Sequence, residues 1–257
     1  IDARLIKTMQ YPPAGDNSLG PVLSARLLEG SHVAGHIEKN VFTEAAVDLQ
    51  MRLAIVNQEV ARASLTGTWD LVQNKVSGIG EARLIKDLAL GTSTSGSGPK
   101  REPTGWALFI KTGTGVTFEL EQNQLKPAQI DVDLVAKHGA REVAKGDLHG
   151  QYKFGDKGGF DGTAHVEVTN AIDIGNAGRF NMKIEVGTKA DATVMASKLT
   201  DANGSLTIGA YEGGKRAIEL NLDAAWAGKF NGDAELKVLK PVKLGEGNLN
   251  GHRFTTY

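Results

Sequence analysis

The sequence predicts an all-β protein: a long antiparallel meander of amphipathic strands that forms a curved sheet, a sandwich or an open barrel. The first observation is that apolar or small residues alternate with polar residues, and a period of two places one set on each face of a strand. The second is that Gly, Asn and Asp recur between the alternating runs, as turns require. The third is the composition, because 32 glycines and 6% aromatic residues among 257 indicate a core of small side chains.

The alternating runs follow one another along most of the chain. Roughly a dozen of them occur at the spacing of about 8–12 residues that is typical of meandering sheets. Short connections join antiparallel neighbours, because a parallel crossover needs a dozen or more residues. The runs are residues 45–55, 65–71, 78–82, 116–120, 130–136, 144–154, 160–168, 180–186, 190–196, 206–210, 218–226 and 230–238.

Residues 43–65 are ambiguous because they are rich in good helix formers. Thr43 and the following Glu44 are residues that can open a helix. A helical face, however, would leave Met51 exposed, whereas Leu49, Met51 and Leu53 alternate with polar residues without a break. We therefore predict a strand structure for this segment.

A low-complexity segment at residues 91–103, GTSTSGSGPKREP, divides the chain. It has no apolar residue to bury, so we expect a flexible loop or linker. Residues 1–90 form an amphipathic β-strand segment and residues 104–257 an antiparallel β-meander. Because both parts share the same alternation, we expect one continuous sheet system.

Turns are predicted at residues 201–204 and 212–215, where Asn and Gly tolerate positive φ. Asn203-Gly204-Ser205 also matches the acceptor sequence for N-glycosylation. Because this sequence falls in a predicted hairpin turn, Asn203 is expected to be an accessible acceptor.

Composition excludes several classes of protein. The net charge is −1 and the basic residues are not clustered, so a nucleic acid or an anionic membrane surface is not an expected partner. No run of about 18 apolar residues occurs, so we expect no transmembrane segment. The absence of cysteine excludes a disulfide framework, a thiol nucleophile and cysteine-ligated metals. Since the chain begins at Ile1, we expect a processed product or an excised fragment.

Candidate catalytic and metal-ligating residues form no convincing pattern. His32 and His36 would share one face of a helix, but in the predicted strand they lie about 13 Å apart. The pair Asp131 and Asp133 would simply line the polar face of a strand. No serine-nucleophile, phosphate-loop or dinucleotide motif is complete. We therefore expect no enzyme, no metal site and no cofactor other than a bound lipid or carotenoid.

The apolar face of such a sheet must be covered by another sheet, a partner subunit or a ligand. The first hypothesis is non-enzymatic binding, storage or transport of an apolar small molecule or lipid. One alternative is a structural or assembly subunit, in a homo- or hetero-oligomer, whose apolar face packs against partner subunits. Another is a bacterial envelope lipid conduit with a β-groove. The residues predicted to line the ligand are Phe160, Val166, Phe180, Met182, Ile184, Leu220, Leu222, Trp226 and Phe230.

Three stretches carry a resemblance to a known family: residues 64–80 (SLTGTWDLVQNKVSGIG), 216–225 (RAIELNLDAA) and 233–242 (DAELKVLKPV). Their amphipathic strands with small residues resemble the β-sheet region of large lipid transfer proteins, the vitellogenin and apolipophorin family. The amino-terminal lipid-binding module and the helical domain of that family have no counterpart here. The resemblance implies an extracellular, secreted protein with an apolar cargo such as a lipid or a carotenoid.

Overall fold

The computed structural model describes residues 2–4, 9–11, 23–55, 58–94, 103–155, 158–242, 245–249 and 252–256. Every regular element in these ranges is a β-strand, which confirms the predicted all-β class. The strands are β1 (Asp2–Arg4), β2 (Met9–Tyr11), β3 (Leu23–Leu27), β4 (His32–Glu38), β5 (Val41–Ile55), β6 (Gln58–Asp70), β7 (Lys75–Leu84), β8 (Leu88–Thr94), β9 (Pro103–Ile110), β10 (Gly115–Glu121), β11 (Gln124–Leu125), β12 (Ala128–His138), β13 (Arg141–Lys153), β14 (Gly159–Val168), β15 (Ile172–Ala177), β16 (Phe180–Ile184), β17 (Lys189–Met195), β18 (Lys198–Glu212), β19 (Lys215–Trp226), β20 (Phe230–Val238), β21 (Gly245–Leu249) and β22 (His252–Thr256).

The strands β1 to β20 form one large antiparallel sheet. Along one edge of β5 lie β4 and β3, with β1 and β2 outside them. From the other edge of β5 the order continues through β6, β7, β10, β12, β13, β14, β17, β18, β19 and β20. The hairpin β8–β9 joins the sheet through β12, and the hairpin β15–β16 joins it through β18. The hairpin β21–β22 pairs only within itself.

The ambiguous segment at residues 43–65 is extended, as predicted. It contributes to the hairpin β5–β6, in which Leu49 pairs with Leu65 and Met51 pairs with Ala63. The uninterrupted period of two explains this outcome, because a strand can place all of these apolar residues on one face and a helix cannot.

The two predicted turns have different outcomes. Gly213 and Gly214 have positive φ between β18 and β19, as predicted. The turn expected at residues 201–204 was wrong, because Asn203 lies inside β18 and pairs with β17 on one side and β19 on the other. Asn and Gly tolerate positive φ without requiring it, and the two flanking ladders keep this segment extended. The chain turns instead at Ala196 and Ser197, both of which have positive φ.

The low-complexity segment is partly paired. β8 runs through Thr94, which pairs with Pro103 at the start of β9. The rest of the expected loop, residues 95–102, lies outside the described residues. Strands from both sides of this segment belong to the same sheet, because β7 pairs with β10.

One face of the sheet is apolar from β5 to β20. Directly opposite residues of an antiparallel pair share a face. Leu65 pairs with both Leu49 and Gly80, and Gly80 in turn pairs with Phe118. At the other end of the sheet, Leu222 pairs with Leu206 and with Ala234. We call this surface the apolar face; the opposite surface, the polar face, carries most of the charged side chains.

The buried apolar residues in the described part of the chain are only alanines and valines. No large side chain there is fully buried, and Val166, Leu236 and Phe230 are among the large apolar residues that remain exposed. Leu, Ile and aromatic residues normally dominate a closed core. The apolar face is therefore only partly covered by the chain's own residues.

Candidate ligand-binding groove

In the middle of the apolar face, Ala and Gly alternate with Leu and Val in rows that cross the strands. Each row takes one residue from each of five adjacent strands, β12, β13, β14, β17 and β18. Neighbouring strands lie about 4.8 Å apart, so such a row spans about 19 Å. The first row is Leu134, Gly146, Val166, Ala190 and Gly204. The second row is Val132, Leu148, Ala164, Ala192 and Ala202.

A groove with a volume of about 430 Å³ lies over these rows. This volume is within the range of about 300–1,000 Å³ that is typical of small-molecule sites. Besides Gly146, the residues that line it from the apolar face are all Ala, Leu or Val: Leu108, Leu134, Ala136, Ala144, Leu148, Ala164, Val166, Ala190, Ala192, Leu199 and Ala202. Lys145, Asp147, His165 and Asp191 also border the groove, but they alternate with these residues, so the period of two places their side chains on the polar face.

An aromatic ring covers the sheet beyond one end of these rows. Phe160 lies over Gly150 and Gly162, which pair with each other on β13 and β14. A Cβ added to Gly150 would lie 2.7 Å from Cζ of Phe160, and one added to Gly162 would lie 2.5 Å from the same atom. Only glycine therefore lets the ring pack directly on the backbone. The ring bounds the small-residue rows on that side.

All nine residues predicted to contact a ligand lie on the apolar face. Val166 is the only one of them that lines the groove. Trp226 pairs with Phe230 at the far edge of the sheet, and the Phe230 side chain is 80% exposed. The other six lie beside the groove or beyond it: Phe160, Phe180, Met182, Ile184, Leu220 and Leu222.

Sequence reasoning missed the alanines that line the groove. Ala144, Ala164 and Ala190 alternate with polar residues as regularly as the large apolar residues do. The signal was therefore present in the sequence. It was overlooked because contact with a ligand was assigned to large side chains, whereas a groove needs small ones.

The polar face beneath the groove carries paired histidines and carboxylates. Nδ1 of His149 lies 2.9 Å from Oδ1 of Asp131, and its Nε2 lies 3.3 Å from Oδ1 of Asp147. The hydrogen bond to Asp131 is the main reason why the pKa of His149 is raised. Nδ1 of His165 lies 2.6 Å from Oδ1 of Asp191. The contacts of His149 with Asp131 and of His165 with Asp191 join neighbouring strands on the polar face.

The described residues contain no group of side chains that could hold a metal ion. Three or more His, Asp or Glu side chains do not converge there as metal ligands would. His32 and His36 both lie on β4, and Nδ1 of His32 is 3.9 Å from Oδ2 of Asp48. The glycosylation candidate Asn203 is exposed on the polar face, within a strand.

Comparisons of the chain with protein-family models, with curated proteins and with solved structures each give no match. Within the described ranges, the protein has no helix of the length and apolarity needed to span a membrane. The functional proposals therefore depend on the residues of the chain itself and on their register.

Proposed function

We propose that this protein binds and carries an apolar ligand, such as a lipid or a carotenoid-like pigment, without catalysing a reaction. The observation that carries the proposal is the groove on the apolar face. Its lining combines Leu and Val side chains with alanines, so that it offers both apolar contact and space.

The physical basis is the removal of apolar surface from water. Each Å² of apolar surface buried contributes about 25 cal/mol, for the ligand and for the groove alike. The lining carries no charged or hydrogen-bonding side chain on the apolar face, so an apolar ligand would displace water at little electrostatic cost. A polar metabolite would lose its hydrogen bonds to water without replacement.

The first test is to identify material carried by the native protein. Native mass spectrometry, followed by organic extraction and mass analysis of the same sample, is expected to release a lipid or polyene in stoichiometric amount. A protein that is empty and that also fails to bind a neutral apolar dye such as Nile red would refute the proposal.

A pair of matched variants locates the binding site. Ala190 lines the groove and is exposed, so Ala190→Trp is expected to fill the groove and to weaken dye binding about tenfold or more. Ala225 is exposed on the polar face of β19, and Ala225→Trp is expected to leave binding unchanged. Equal effects of the two variants would place the ligand elsewhere.

A second candidate function, subunit assembly, is supported by strand β20. Among the described strands, β20 pairs only with β19, and all nine of its residues are exposed. Leu236 and Val238 are 65% and 63% exposed on the apolar face. Proteins usually protect an edge strand with charged side chains, a proline or a bulge. β20 has no proline and no bulge, and its charged residues Asp233, Glu235 and Lys237 lie on the polar face, so its apolar face is left without such protection.

Native mass spectrometry also tests this second candidate. An oligomer that dissociates in Leu236→Lys but persists in Asn231→Lys, on the polar face of the same strand, would support assembly through β20. A monomeric wild-type protein at micromolar concentration would exclude self-assembly through this edge.

A further inference from the structure

A row of polar and aromatic side chains lies on the apolar face beside one end of the groove. Trp106 of β9 pairs with His138 of β12, and His138 pairs with Arg141 of β13. The rings of Trp106 and His138 are in contact, with their centroids 5.2 Å apart. The adjacent row along the same three strands lines the groove and consists of Leu108, Ala136 and Ala144.

A β-bulge places Arg141 on this face. The register of the β12–β13 pair shifts between Ala136 and Lys137, and Val143 is the extra residue on β13. Arg141 and Ala144 are three residues apart, so a regular strand would put them on opposite faces. The extra residue brings both to the apolar face and places a cation beside the groove.

Arg141 has no carboxylate partner among the described residues. Its Nη2 donates a hydrogen bond to Oδ1 of Asn170 at 2.9 Å, and Asn170 in turn donates through Nδ2 to the carbonyl oxygen of Glu142 at 2.9 Å. By contrast, Arg62 and Arg83 each form an ion pair on the polar face. The Arg141 guanidinium is therefore exposed, held by a neutral amide, and available to an anion.

We propose that the groove takes a single-chain amphiphile whose anionic head group, a carboxylate or a phosphate, is bound by Arg141. The planar guanidinium matches either head group with two parallel hydrogen bonds. Trp106 lies in the same row, with His138 between it and Arg141. It combines an apolar body with a polar edge, as suits the boundary between a chain and its head group. The proposal rests on the proposed function, because it requires that the groove holds an apolar chain.

The groove and the apolar face next to it together have the length of one acyl chain. Along β13 the groove runs from Ala144, next to the polar row, to Leu148, which is four residues or about 13 Å. The apolar face continues for about 7 Å more to Gly150, beneath the Phe160 ring, so the whole distance is about 20 Å. This length is on the scale of one fatty acyl chain. A head group at Arg141 would thus leave the chain on the alanines and its end near Phe160.

The test compares ligands that share a chain and differ in the head group. Palmitate, hexadecyl phosphate and methyl palmitate are titrated against the full chain at about pH 8, each below its micelle concentration, by displacement of Nile red. We expect at least one of the two anions to bind about tenfold more tightly than the ester, as a hydrogen bond to a charged group allows. The two anionic arms identify the preferred head group.

Two arginine variants assign the preference to a residue. Arg141→Met is expected to abolish the preference for the anion and to leave the affinity for methyl palmitate unchanged, which also shows that the groove is intact. Arg62→Met removes an exposed arginine from β6 and is expected to retain the preference. In the wild-type protein, added salt is expected to weaken binding of the anion and not of the ester.

The outcomes separate the two proposals. Equal affinities for the anions and the ester would overturn the head-group proposal and leave the proposed function standing. A preference that survives in Arg141→Met would overturn the role of Arg141. If Nile red binds and none of the three compounds displaces it, the head-group proposal is overturned and the proposed function stands. If the native protein is empty and Nile red itself does not bind, both proposals are overturned.

Discussion

The buried carboxylate of Glu185 provides the sharpest prediction about stability. Its side chain is 10% exposed, and its Oε2 lies 2.9 Å from Nη2 of Arg216. Its Oε1 accepts a hydrogen bond from the hydroxyl of Tyr211 at 2.8 Å. The contact with Tyr211, together with Glu185 and Glu219, raises the pKa of Arg216, so the guanidinium stays charged. Replacing Arg216 by Met would leave a buried carboxylate without a cation.

The expected cost follows from burial and from the contacts that remain. Removing one partner of a buried ion pair costs about 3–5 kcal/mol. Arg216 is 31% exposed, so solvent screening reduces this figure, and the Tyr211 hydroxyl still donates to Glu185. We therefore expect Arg216→Met to lower the free energy of unfolding by about 2–3 kcal/mol. In Glu185→Gln the amide oxygen still accepts the hydrogen bond from Tyr211, and Arg216 still forms its ion pair with Glu219. This substitution is therefore expected to cost only about 1 kcal/mol.

A double-mutant cycle measures the coupling by urea unfolding at neutral pH. The double variant no longer buries an unpaired charge, so its cost is expected to fall short of the sum of the single costs by about 1–2 kcal/mol. Arg62→Met, which removes an exposed arginine, serves as the control. The reasoning fails if Arg216→Met costs no more than this control, or if the two single costs are additive.

Three further predictions concern pH and packing. The hydrogen bond to Asp131 raises the pKa of His149 above its ordinary value of 6.5. The stabilisation by His149 is therefore complete below pH 6.5 and is lost as the pH rises through the higher pKa of the folded state. In urea unfolding measured against pH, His149→Gln should remove this loss of stability. The hydrogen bond from Lys111 lowers the pKa of Asp87 to about 2. The stabilisation by Asp87 is therefore present above pH 3.8 and is lost as the pH falls towards 2. Asp87→Asn should make the free energy of unfolding depend less on pH in that range. Gly162→Val should destabilise the fold by about 1–3 kcal/mol in thermal unfolding, although valine favours strands. The reason is that a Cβ on Gly162 would lie 2.2 Å from the carbonyl oxygen of His149; a neutral or stabilising effect would contradict this packing.

The class of fold was predictable because alternation is a local property. The sequence of each strand predicts which residues lie on each of its faces. The two glycines Gly213 and Gly214 likewise predict the turn between β18 and β19. The order of the strands is less visible. β7 pairs with β10 although the hairpin β8–β9 lies between them in the sequence, and no local pattern indicates this pairing.

The candidate site was harder to predict for two physical reasons. A groove is defined by the absence of side-chain volume, and Ala164 or Ala190 resembles any other alanine until its neighbours across the sheet are known. In addition, the bulge at Val143 changes the face on which Arg141 lies. Extrapolation of the period of two from Ala144 would assign Arg141 to the polar face. A charged residue is ordinary there and does not indicate a binding site.

The meander also has a consequence for how such a sheet can change in size. From β12 to β20, most strands pair with strands that are close to them in sequence, and no described strand pairs with the outer edge of β20. A duplicated hairpin inserted after β20 could therefore extend the sheet without disturbing any existing pair. Each added hairpin would widen the apolar face by about 10 Å. The area of the apolar face could thus increase by one hairpin at a time while the original groove stayed intact.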